Sequence, residues 1–144
     1  MRSDRQFLEA FEACTLPAEE FHHPDHVRLA YFYLRDFPPA EALMRFVEGL
    51  RRFAASLGKP GLYHETITWA YLLLIRERMA RGGAADFAEF RRLNPDLFTW
   101  QPSLLDSYYR PETLWSELAR EVFVMPDRGV VGRQLSVVSS STDN

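Results

Sequence analysis

Four histidines are the groups best suited to chemistry in this chain, and they fall at two places: His22, His23 and His26 in the run F-H-H-P-D-H, and His64 in Y-H-E-T-I-T. Pro24 suits the first position of a helix, where its missing N–H is not needed. With Pro24 there, His23 is the N-cap and His26 the third helical residue, two positions whose side chains meet. His64 opens a second helix and projects from its N-terminus as well. A helix start carries about half a positive charge, which disfavours imidazolium. Neutral imidazole is the form that binds metal, accepts a proton or donates one N–H to a carbonyl.

Three histidines with an open position suit zinc or ferrous iron. His23, His26 and His64 are therefore expected to bind one divalent metal ion. A bound water would then be activated for hydrolysis, or an open iron position would take oxygen. Glu19, Glu20, Asp25 and Glu65 lie beside the histidines and could complete the shell or hold a tautomer. Glu65 and Thr68 are the expected catalytic partners. Thr68 follows His64 by four residues and shares its helical face, where it could hold a ligand oxygen or orient a metal-bound water. The competing roles are plain ones: Glu65 answers the helix dipole, and Thr68 bonds back to its own helix carbonyl.

Two other functions fit the same residues. Two helix N-termini aimed at one spot make a metal-free module for a small anion or other small molecule. Alternatively the histidines are structural and the protein works through its surface, with a partner or as a homodimer. The loop Phe98-Thr99-Trp100-Gln101-Pro102 with Tyr108-Tyr109 carries that reading, because aromatic residues are enriched at interfaces; the same rings could instead fold back to cap the core. Tyr33 lies two turns beyond His26 on roughly the same face. Cys14 sits on an apolar stripe and reads as a small buried hydrophobe.

The elements that must position these groups are helices. Phe7, Leu8, Phe11 and Cys14 form one stripe, ended by Leu16-Pro17. Val27, Ala30, Tyr31 and Leu34 form the next, at the spacing of an amphipathic helix. Leu43, Phe46, Val47, Leu50, Phe53, Ala54 and Leu57 line a third helix, with Gly58 as its left-handed cap. From Ile67 to Ile75 the chain is apolar nearly all round, which predicts a buried central helix over about 64–80. A short helix over 86–93 and a last one over 111–124 follow, the latter with Leu114, Trp115, Leu118, Ala119 and Val122 as its apolar side. The expected fold is all-α, a compact bundle of five or six helices in one domain over 1–127, with 128–144 as a flexible or loosely docked tail.

Bulk properties bound the function. A net charge of −3, with arginines interleaved among acids, argues against nucleic acid or an acidic membrane as partner. One cysteine allows no intrachain disulfide. The N-terminal run lacks the apolar core of a signal peptide, so a cytoplasmic location is expected. No G-x-S-x-G, P-loop, G-x-G-x-x-G or CxxC occurs, which leaves serine hydrolases, P-loop NTPases and Rossmann enzymes without footing.

The pattern F-x-H-x-x-H (Phe21, His23, His26), then Y-H-x-T-x-T (Tyr63, His64, Thr66, Thr68), then S-E-L-A-R (Ser116 to Arg120) and F-V-x-P-D (Phe123 to Asp127) resembles that of short, uncharacterised bacterial all-helical proteins. The resemblance covers most of residues 20–127. It implies that these residues share one site or one core, and it favours His23, His26 and His64 over His22. It brings no known activity.

Overall fold

Ser3 and Gln6 close a reciprocal capping box, and the chain enters its first helix, α1 (Asp4–Glu12). The computed structural model describes residues 2–128. Six further helices follow: α2 (His23–Asp36), α3 (Pro39–Ser56), α4 (Glu65–Gly82), α5 (Phe87–Leu93), α6 (Pro111–Leu114) and α7 (Glu117–Glu121), with four short 3-10 turns between them. The protein is all-α, and no strand occurs among the described residues. None of its described helices is long and apolar enough to cross a membrane.

The predicted central helix is α4, which packs against α2, α3, α5 and α7. Thr66, Thr68, Ala70, Tyr71, Leu72 and Ile75 are buried on it. Its neighbours do not close the whole circumference, so Leu73 remains 46% exposed despite lying in the most apolar run of the chain. Helix α1 lies close against α3 at Gly49. A Cβ there would stand 2.7 Å from Cε2 of Phe11, so glycine is what lets the ring in. Phe11, Phe21 and Phe53 then pack in tilted and edge-on pairs with centroids 4.9 to 5.5 Å apart. Burying rings of this size contributes about 1.5–3 kcal/mol each.

Cys14 departs from the expected apolar stripe. It follows the end of α1 in the left-handed region, at φ 57°, and is only half-buried. The amides of Thr15 and Leu16 turn back to the Ala10 carbonyl there, a geometry that usually recruits glycine.

The single last helix expected over 111–124 is two. Ser116 breaks it: its hydroxyl accepts the Ala119 amide at 3.1 Å and donates to the Thr113 carbonyl at 2.7 Å. A side chain that caps a new helix cannot continue the old one. The break rotates the second half, so only Leu114 and Ala119 of the predicted apolar side are buried, while Trp115, Leu118 and Val122 are exposed. Beyond α7 the chain runs without helix to Arg128. The Thr66 hydroxyl fastens this strap, donating to the Val122 carbonyl at 2.9 Å and accepting the Val124 amide at 3.1 Å. Tyr109 donates to the Val124 carbonyl, and Asp127 accepts from the Arg110 amide and the Thr113 hydroxyl. Apart from Arg128, whose amide bonds the Tyr108 carbonyl, the expected tail lies outside the described residues.

Candidate functional site

Helix α2 starts one residue earlier than the sequence suggested. His22 is the N-cap, His23 the first helical residue and Pro24 the second. Asp25 selects this frame by accepting the His22 amide on its carboxylate at 3.0 Å. Proline is tolerated at either position, because neither amide has a partner within the helix. The shift leaves His22 exposed, with its ring donating Nε2–H to the Glu19 carbonyl.

His23 and His26 turn inward, and each is held by a backbone carbonyl. His23 donates Nε2–H to Leu97 at 2.9 Å, with its ring between Tyr71 and Trp100 at centroid distances of 4.7 and 5.0 Å. His26 donates Nδ1–H to the His22 carbonyl at 3.2 Å and lies 4.2 Å from the ring of Phe21. A carbonyl can only accept, so these bonds fix both tautomers. The remaining nitrogens, Nδ1 of His23 and Nε2 of His26, carry lone pairs and bond to no group among the described residues. The only fully buried side-chain polar atom without a partner among the described residues is Nε1 of Trp69. The two imidazole acceptors are therefore open, and the space both rings border is a cavity.

His64 is used differently. It is the N-cap of α4, accepting the Ile67 amide on Nδ1 at 3.1 Å and donating Nε2–H to the Leu114 carbonyl at 2.7 Å. That carbonyl is available because the chain leaves the helix after Leu114. Both nitrogens of His64 are engaged. Thr68 donates to the His64 carbonyl at 2.7 Å, the backbone role weighed for it above. Glu65 faces away, accepting from Tyr63 at 2.5 Å and from Arg51 at 3.3 Å, and it does not line the cavity.

Burial governs the charge of these rings. Removal from water pulls His26 down to about 4, helped by the neighbouring His23 and His22 and opposed by the bond to the His22 carbonyl. Burial lowers His23 and His64 in the same direction. All three rings are neutral at pH 7.

The cavity has a volume of about 520 Å³. Helices α2, α3 and α4 supply an apolar wall that includes Phe46, Leu50, Phe53 and Ile67; Tyr63, Tyr71, Trp100 and Trp115 add aromatic surface. Leu62 and Trp115, the most exposed large apolar residues of the wall, mark its mouth. Arg120 of α7 also lines it, with its guanidinium 5.8 Å from the Trp115 ring. Among the described residues, no carboxylate lines the cavity and Arg120 forms no ion pair.

The structure thus brings His23, His26, His64 and Thr68 to one cavity and leaves Glu65 outside it. No group of three or more His, Cys, Asp or Glu among the described residues is placed to hold an ion, and His64 has no lone pair to give without losing its cap. Tyr33 is a core residue that donates to Glu12 at 2.7 Å. Of the aromatic loop, Tyr109 is buried and Phe98 packs on Phe87, whereas Trp100 becomes cavity wall. Sequence reasoning did not single out Arg120 as a site residue, and it ranked pocket lining by Tyr71 and the tryptophans below a core role. The one signal for Arg120 was its place in the S-E-L-A-R run. Comparison with protein-family models, with curated proteins and with solved structures found no match. Fold and site alone define the class: a small all-α protein with an aromatic-walled cavity at two histidine-bearing helix starts.

Proposed function

We propose that this protein binds a small, largely apolar organic molecule carrying one anionic or acceptor group, in the cavity between α2, α3, α4 and α7. One observation carries the reading: a cavity of about 520 Å³ with apolar and aromatic walls and, among the described residues, one permanent cation and no carboxylate. Small-molecule sites have volumes in this range, with apolar linings and a few placed polar groups. The metal-free binding module expected from the sequence is kept, but its anion-binding group moves. Helix N-termini supply little, because His64 takes the Ile67 amide and Asp25 sits at the start of α2. Arg120 replaces them, and its planar fork suits a carboxylate.

The test is a matched ligand series read by calorimetry: 3-phenylpropanoate, its amide and the corresponding amine. The carboxylate is expected to bind best and the amine worst, and Arg120→Gln to remove the carboxylate's advantage. An amine that binds as well as the acid, or no binding by any of the three at millimolar concentration, overturns the reading. Zinc and ferrous iron form the other arm. A metal-dependent function would have to draw on Nδ1 of His23 and Nε2 of His26. Metal binding that disappears in the double variant His23→Ala, His26→Ala would favour the metal centre over the organic ligand.

A further inference from the structure

The proposed cavity is lined by two histidines whose acceptor nitrogens meet no donor among the described residues. His26 and His23 both line it, and Nε2 of the one and Nδ1 of the other keep lone pairs without a partner among the described residues, the other nitrogen of each ring being tied to a backbone carbonyl, His22 for one and Leu97 for the other. These tethers prevent either ring from switching tautomer without losing its bond. We propose that the ligand carries a hydroxyl or N–H donor on its apolar body, and that Nε2 of His26 is the acceptor that selects it. The inference rests on the cavity being a small-molecule site and names a second feature of its occupant.

His26 is the stronger candidate of the two for a physical reason. His23 stands beside Trp100, which is partly exposed, whereas the His26 ring packs 4.2 Å from the ring of Phe21, which is buried. Away from bulk water a hydrogen bond is electrostatically stronger, and an acceptor left without a donor is more costly. A ligand that fills the cavity and lacks a donor strips water from Nε2 and offers nothing in return. A pocket built around a hydrogen-bonding group rejects the analogue that lacks it far more sharply than an apolar pocket rejects a change of shape.

The probes are 4-ethylphenol and 4-ethyltoluene, which differ only in hydroxyl against methyl. The phenol is expected to bind about tenfold tighter or more. His26→Phe should abolish most of that preference while 4-ethyltoluene still binds. On the unaltered protein, the ¹⁵N resonance of His26 Nε2 should shift with the phenol and stay still with the toluene, a readout that does not depend on how the variant folds. Equal affinities, a preference untouched by His26→Phe, or a silent Nε2 resonance would each overturn the donor requirement and leave the cavity's binding role standing. Failure of both probes to bind would overturn the donor requirement together with the reading beneath it.

Discussion

At the start of α4, His64 has no nitrogen to spare; at the start of α2, His23 and His26 each keep one. The residue type is the same, burial lowers the pKa at both places, and all these rings border one cavity. What differs is the second partner. His64 caps its own helix through Nδ1 and reaches the Leu114 carbonyl through Nε2. His23 and His26 reach one carbonyl each, and the amide of their own cap goes to Asp25 instead. A histidine with both nitrogens satisfied is a structural bracket, joining α4 to the end of α6. A histidine with one nitrogen satisfied is an oriented acceptor. The Y-H-x-T-x-T run is accordingly a docking platform: His64 holds α6, Thr66 holds the strap, and Thr68 ties down the turn between them.

The largest expected effect comes from removing the bracket. His64→Ala removes a helix cap and leaves the Leu114 carbonyl without its donor, and should cost about 2–4 kcal/mol in urea unfolding. His26→Phe should cost much less and act on ligand preference. Equal losses of stability at the two positions would erase the distinction between bracket and acceptor.

A smaller effect is expected from pH. His23, His26 and His64 bind protons more weakly in the folded protein than in the unfolded chain, where their ordinary value is 6.5. The unfolded state therefore takes up more protons between 6.5 and about 4, the value for His26, and the stability is complete above that window. Lowering the pH through it should destabilise the fold, seen as a falling urea midpoint. Asp36, Asp96 and Asp127, held below their usual range by hydrogen-bonded partners, add their losses only at lower pH. Within the folded state His26 can take its proton on the open Nε2 without losing a bond. His64 cannot, because its lone pair holds the Ile67 amide. Proton NMR should show His26 titrating before unfolding and His64 not titrating; identical titrations of the two rings would contradict the assignment. The smallest effect belongs to His22. Its ring is exposed and its capping partner is bound through the backbone, so His22→Gln should change stability by less than about 0.5 kcal/mol.

Local pattern determined much of this protein without any structure. The spacing of apolar residues placed the first five helices, the apolar run from Ile67 to Ile75 marked α4 as central, and the histidines were legible as lying at helix starts. These features depend on a few neighbouring residues and on a 3.6-residue period. Only the tertiary structure decided which histidine nitrogens are free. The Leu97 and Leu114 carbonyls come from 74 and 50 residues further along the chain, and no periodicity announces a carbonyl released by a broken helix. The same break put Arg120 into the cavity wall and left Trp115 half-exposed at its mouth, because a hydroxyl at Ser116 outcompeted a stripe that read as one continuous helix. Apolar spacing shows which face of a helix is buried; which polar atom meets which depends on where the chain returns.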